Sequence, residues 1–315
     1  MLGIYLFFAV SAFSFTGGGV DSVAATENRW EHTGKPYLTK EFSIQGAGVL
    51  KTFTANGNID VLPSSLSNKV KVELYVDRGF SFWSNANNLD NFRITMLKRD
   101  KEIIASVERK KRDTGLFSGS VSFSFKIYVP EAMSSELKTL SGDISLAKMH
   151  GRQMVKTGGG HISVTDVRGQ FKGFTSAGNI EIKDSQGTIF AQSEDGNITI
   201  DRSSGEFRLR TKEGRIWSER ISGTMLARVE HGDIRAKFIQ VGQGIKLETS
   251  DGDVDVELPD RAGYELTLQG SRVRFLEAEK VDGRVRGASI IGEYKGSGPP
   301  IDLRARTGNV TLKIK

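Results

Sequence analysis

The chain has 315 residues, 44 basic against 38 acidic side chains, a net charge of +6 and no cysteine. The missing thiols exclude disulfide staples, thiol catalysis, iron–sulfur clusters and cysteine-built zinc sites. Thirty-six glycines against six prolines fit many tight turns between short strands, rather than a proline-stiffened linker.

The first element is apolar. Residues 2–15 form an uncharged run, and VAA at 23–25 has the small-x-small form of a cleavage site, so residues 1–25 are expected to be an export signal peptide. The run is too short for a comfortable membrane span, and no later segment reaches the ~20 apolar residues of a transmembrane helix. The expected location is periplasmic or extracellular. The segment contains one acid, Asp21, and no base, so the remaining chain carries +7. That sign favours an acidic glycan, an anionic cell-envelope surface or an envelope protein as partner; nucleic acid is not expected.

Residues 26–138 form a strand-rich N-terminal cap. Period-two apolar patterns run through Val70, Val72, Leu74 and Val76, then Phe92, Ile94 and Met96, then Val121, Phe123, Phe125, Ile127 and Val129. The charged KRDKEIIASVERKKRD at 98–113 reads as an exposed strand pair. One turn in this cap, TANGNIDV from Thr54, is an isolated early copy of the unit that recurs after residue 138.

From residue 139 the chain repeats: TLSGDISL, TGGGHISV, TSAGNIEI, SEDGNITI, TKEGRIWS, VEHGDIRA and TSDGDVDV. The motif glycines are Gly142, Gly160, Gly178, Gly196, Gly214, Gly232 and Gly252, spaced by 18 except for a last step of 20. A second set, Gly151, Gly169, Gly187, Gly205 and Gly223, keeps the same period. Strand-like alternation fills both intervals, as at Ile180/Ile182 and Ile189/Ala191, and no stretch of ten residues has a helical period. An 18-residue unit cannot bury its own apolar face, but stacked units can. The predicted fold is all-β: a single-chain parallel β-solenoid with 18-residue rungs over residues 139–258 and strand-rich caps. Glycine is expected at the corners for its access to positive φ. The neighbouring Asp143, Asn179, Asn197, Asp233 and Asp253 are expected to tolerate the same geometry or to bond nearby backbone. Residues 259–315 loosen, then close the same domain on ARTGNVTL at 305–312.

Three features together, TANGNIDV, the YVP ending at 128–130 and the serial T-x-x-G-[ND]-[IV] units, resemble the bacterial DUF4097 group. Its members are β-strand-repeat proteins often labelled "putative adhesin" and are similar to auto-transporter head-like domains. The resemblance implies a right-handed β-helix-like domain, exported and without enzymatic activity. It supplies no catalytic residue and no cofactor.

Alternation sorts outward side chains into columns along the stack. On the second strand of each rung one column reads Met154, Lys172, Phe190, Arg208, Leu226, Lys246, and its neighbour reads Lys156, Phe174, Gln192, Arg210, Arg228, Glu248. Aromatic rings stack on sugars and arginine pairs with carboxylate or phosphate. Lys172, Phe174, Phe190, Arg208, Arg210 and Arg228 are therefore candidate binding residues, with Trp217 outward on the first strand. An ordinary solvated sheet is the alternative. Asp253, Asp255 and Glu257 share one strand face at ~6.5–7 Å intervals, which would suit an inverting glycosidase pair or a hard cation; a polar outer face is the simpler account. Ser135 and Lys138 echo a serine hydrolase S-x-x-K element without its partners. His161 and His231 fall near corners. A threonine recurs at 139, 157, 175, 211 and 249, one per rung. The expected function is an exported, non-catalytic, adhesin-like binding scaffold. The alternatives are a β-helix enzyme acting on polysaccharide through residues 253–257 and a purely structural envelope element.

Overall fold

A computed structural model describes residues 34–78, 89–110, 121–260 and 263–315. The signal-like residues 1–25 lie outside them; every described residue belongs to the unit His32–Lys315. The described residues are all-β. Two single 3-10 turns, Leu89–Asn91 and Ala278–Lys280, are their only helical elements.

The centre of the fold is a parallel ladder. Ile162 pairs with Ile144 and Ile180, Ile180 with Ile198, Ile198 with Ile216 and Ile216 with Ile234. Val254 and then Val310 complete this column. Each of these β-branched residues is at most 1% exposed, and each contributes about 1.5–3 kcal/mol by leaving water. The second strands stack likewise, Phe171 on Ile189 on Phe207 on Met225. Two buried polar side chains precede them in the column, Ser135 and Gln153: Gln153 accepts from the Ser135 hydroxyl at 2.6 Å and donates to the Met133 carbonyl at 3.0 Å. Ser135 is therefore a buried structural donor, and it faces Gln153 instead of a lysine.

Most corner glycines take the expected positive φ, between 113° and 149° at Gly142, Gly214, Gly232, Gly252, Gly151, Gly169, Gly187, Gly205 and Gly223, but a second physical cause acts beside it. Gly160, Gly178 and Gly196 do not have φ in the left-handed range. Glycine is required because consecutive corners touch through their backbones: a Cβ on Gly160 would stand 1.8 Å from the Gly142 carbonyl oxygen, and one on Gly178 2.0 Å from that of Gly160. Positive φ also appears at non-glycine residues, in a column the repeat motif did not reveal: Lys148, Asp166, Asp184, Arg202 and Arg220, with φ between 46° and 55°. None of Asp143, Asn179, Asn197, Asp233 or Asp253 is left-handed. Their side chains instead accept from the next rung. Asp143 takes the His161 amide at 2.7 Å, Asn179 takes Asn197 at 2.9 Å, and Asn197 takes Arg215 at 2.8 Å. His161 fills an asparagine position, its Nδ1 accepting from the Asn179 amide at 3.0 Å.

The threonine column is buried on the inner side of the same corner. Thr157, Thr175 and Thr211 each donate to the glycine carbonyl of the preceding rung at 2.8 Å, and Ser193 takes the role in its rung at 2.9 Å. These hydroxyls and the Asn/Asp ladder hold successive corners from inside and outside.

The two separated repeat copies stack on the regular ladder, one against its first turn and one against its last. Thr54 pairs with Thr139 and Ile59 with Ile144, so TANGNIDV sits directly on the first regular rung although 85 residues separate the pairs Asn58–Asp143 and Asp60–Ser145. Between them, Lys69–Arg78 pairs antiparallel with Leu38–Ser43 and Val121–Val129. Phe92–Arg99 forms a hairpin with Glu102–Arg109. The charged segment expected to be an exposed strand pair is thus half of a hairpin that begins earlier, and it buries Ile103, Ala105 and Val107.

At the far end the chain order is broken. Pro300–Ala305 lies between Ile234–Asp251 and Tyr264–Gln269, parallel to both. Val310–Ile314 lies between Val254–Leu258 and Val273–Phe275. The last repeat copy is therefore inserted between strands that precede it in sequence. Ser289–Tyr294 and then Val281–Arg286 extend the sheet antiparallel beyond Tyr264–Gln269.

Candidate functional site: an arginine-lined groove

The outward columns form in the predicted register. Lys172 lies beside Met154 and Phe190, Phe190 beside Arg208, and Arg208 beside Leu226. Phe174 lies beside Lys156 and Gln192, Gln192 beside Arg210, and Arg210 beside Arg228. The structure extends the second column past Glu248 to Arg304 and Gln269.

Two adjoining depressions, of about 680 and 550 Å³, lie at the C-terminal end of this face and share Arg228, Ser250 and Arg306. Arg210 lines one and Arg304 the other, with Gln269 and Ser271 along the wall. The groove is lined by residues of the inserted strand Pro300–Ala305, of the turn after Gln269 and of the neighbouring strands. Lys172, Phe174, Phe190 and Arg208 occupy the same sheet but lie beyond the groove lining. The two phenylalanines are half-buried and packed against each other, with ring centroids 5.2 Å apart. Trp217 is on the first-strand face, 45% exposed, with the Arg235 guanidinium 5.3 Å over its ring.

The groove's cations are unevenly neutralised. Arg210 contacts Glu230 at 3.2 Å and Arg228 contacts Glu248 at 3.4 Å. Arg304 binds Asp302 at 2.7 Å, and that contact holds its guanidinium above the ordinary value. Lys246, at the margin, is raised in the same way, first by Glu248. The Arg306 guanidinium is exposed and has no ion-pair partner among the described residues. Neighbouring strands lie ~4.8 Å apart, so Arg210 and Arg228 present adjacent forks that can each take a carboxylate or sulfate bidentately. Ser250, Ser271 and Gln269 offer hydroxyl and amide partners.

Sequence reading missed Arg304 and Arg306, although a signal for them existed. Aligning Gly308 with Gly252 sets Arg304 on Glu248 and Arg306 next to Ser250, and the former pairing is the one observed.

The acidic trio is engaged elsewhere. Asp253 accepts the Asn309 amide at 2.7 Å, Asp255 meets Arg235 at 3.4 Å, and Glu257 meets Lys315 at 3.0 Å. Asp253 is thus a ladder residue. His231 pairs with Asp251 at 2.8 Å at the groove edge. Among the described residues no group of His, Asp and Glu is arranged to hold a metal ion, and no helix is long and apolar enough to cross a membrane.

Among solved structures, the chain is similar to a "putative adhesin" from Bacteroides fragilis, with 13% identity over 88% of this chain and 96% of that one and a TM-score of 0.41. It is similar to a "putative lipid binding protein" from Parabacteroides distasonis, with 10% identity over 89% and 98% and a TM-score of 0.40. A "putative adhesin" from the same organism gives 13% identity over 87% and 96%, with a TM-score of 0.33. No curated protein matches the chain. The sequence profile of the Toastrack DUF4097 family matches residues 53–313, from the first repeat turn to the last strand, and the chain belongs to that family.

Proposed function

We propose that the ladder is a single-chain parallel β-solenoid of 18-residue rungs, and that the protein is an exported, non-catalytic scaffold holding an acidic glycan in the arginine groove. The single observation that carries the reading is the convergence of Arg210, Arg228, Arg304 and the unpaired Arg306 on one groove with hydroxyl and amide neighbours. Guanidinium forks select carboxylate or sulfate by geometry, and the hydroxyls match those of a sugar. The export expectation rests on residues 2–25. The polysaccharide-cleaving alternative loses support because Asp253, Asp255 and Glu257 each hold a structural partner, leaving no pair of carboxyls in contrasting environments.

The test is calorimetric titration with uronic-acid and sulfated oligosaccharides at low salt. Binding is expected, weakening with salt and falling roughly tenfold or more in an Arg228→Ala/Arg306→Ala chain, while Trp217→Ala on the other face leaves it unchanged. No binding to any acidic glycan, or binding indifferent to the arginine pair, refutes the reading. Binding only to vesicles with anionic headgroups moves the assignment to a membrane surface. Release of new reducing ends, abolished by Asp255→Asn, restores the enzyme.

A further inference from the structure

Val281–Arg286 is the outermost strand at the C-terminal end. Among the described residues it is paired only on one side, antiparallel to Ser289–Tyr294. The connection is two residues, Gly287 and Ala288, closed by the Arg286–Ser289 pair, and hydrogen-bonded pairs alternate from there. The Ile291 carbonyl oxygen would lie 2.3 Å from a Cβ on Gly283, and that of Asp282 2.4 Å from one on Gly292. Those carbonyls therefore point into the hairpin. Asp282, Arg284 and Arg286 bond inward, while Val281, Gly283 and Val285 aim their amides and carbonyls at the open edge. Such an edge is a template for another strand.

We propose that this edge pairs with the same strand of a second copy, antiparallel about a two-fold axis through Gly283. The outward-bonding residues must face each other, and three centres achieve this while keeping most of the strand paired. A centre at Asp282 opposes two aspartates, and a centre at Arg284 opposes two arginines. The centre at Gly283 sets Asp282 of each copy opposite Arg284 of the other, twice, and Val281 opposite Val285, twice. Neither Asp282 nor Arg284 has an ion-pair partner within its own chain among the described residues. The valines lie on the hairpin face that carries buried Ile290 and Tyr294, so the contact continues the core outward. Three exposed apolar residues cluster in this stretch: Leu276 at 92%, Val285 at 47% and Ile291 at 43%. An isologous contact of this kind closes as a dimer and leaves the arginine groove of each copy separate.

Sedimentation velocity of the whole chain over a wide concentration range tests this. A concentration-dependent dimer is expected. Arg284→Asp or Asp282→Arg alone should weaken it roughly tenfold or more by opposing like charges, and the two together should restore it, because the swap rebuilds both pairs. Far-UV circular dichroism reports folding of each variant. The chain has no cysteine, so an equimolar mixture of Asp282→Cys and Arg284→Cys chains gives an independent reading. Non-hydrogen-bonded partners lie ~4.5 Å apart at Cα, within disulfide reach, and the mixed cross-link should dominate. A monomer at every concentration, a dimer indifferent to single reversals, a double variant that fails to recover, or cross-links dominated by like pairs would overturn the proposal.

Discussion

Replacing Gly160 by alanine puts a methyl carbon 1.8 Å from the Gly142 carbonyl oxygen, 2.3 Å from its carbon and 2.9 Å from the Asp143 nitrogen. All three are backbone atoms, so no side chain can swing aside. The two corners must separate by more than about 1 Å to reach an ordinary contact. Three hydrogen bonds span that gap: Thr157 to the Gly142 carbonyl at 2.8 Å, the His161 amide to Asp143 at 2.7 Å, and the Ile144 amide to the His161 carbonyl at 2.9 Å. Lengthened by that much, each passes the limit of a useful bond. At about 1 kcal/mol apiece the loss is about 3 kcal/mol, within the range for overpacking a tight interior. The neighbouring Gly159 is a control, because its Cβ would meet nothing within 4 Å. Gly159→Ala should be neutral or slightly stabilising through the unfolded chain. In urea unfolding followed by circular dichroism, Gly160→Ala should lower the midpoint by about 1 M relative to Gly159→Ala. Equal midpoints for the two variants would refute backbone stacking as the reason for glycine.

Thr175→Val keeps shape but removes the donor to the Gly160 carbonyl, and should cost about 1–3 kcal/mol by thermal melting, whereas Thr175→Ser should cost less than 1.5 kcal/mol, about one lost methyl group. His161→Asn should keep the outer ladder and match the parent's stability, while His161→Ala loses the acceptor for Asn179 and about 1 kcal/mol. Asp184 accepts two hydrogen bonds from Arg202, which hold its carboxyl below the ordinary 3.8. A depressed carboxyl stabilises the fold above its unfolded value and loses that contribution as pH falls through the folded one. Asp184→Asn should therefore cost a few tenths to about 1 kcal/mol at neutral pH and low salt, and its stability should converge with the parent's only as pH falls below 3.8 through the lowered folded value, and at high salt.

Much of the scaffold was legible because it repeats. A period of 18 with alternating β-branched residues specified which side chains face inward, and the outward columns followed in the observed register. What the period did not carry was non-periodic chain order. TANGNIDV and ARTGNVTL looked isolated because their stacking partners lie far along the chain, at Thr139 and at residues 249–256. The arginine groove was missed for the same reason, since Arg304 arrives on a strand inserted out of sequence and Arg306 on the turn that follows it. One cause of the corner glycines, positive φ, was legible and holds at most of them; the other was not, because only the stacked neighbour shows the carbonyl that excludes a methyl group.

The division of labour within each rung explains where a binding surface can arise. Inward positions are restricted by packing, and corner positions by backbone contact and the two hydrogen-bond ladders, so exchange there is confined to residues that fill the same role, as Ser193 and His161 do. Outward positions touch mainly the same position one rung away, and substitutions there cost about 0.5 kcal/mol or less. Along one outward column the residue passes from Lys156 and Phe174 through Gln192 to Arg210, Arg228, Glu248 and Arg304 while the strand beneath is unchanged. A flat column alone would present charge without enclosing a ligand. The two depressions lie where the inserted strand and the turn after Gln269 meet the parallel ladder. The proposed glycan site therefore lies at the C-terminal end, where variable outward residues and an irregular backbone coincide.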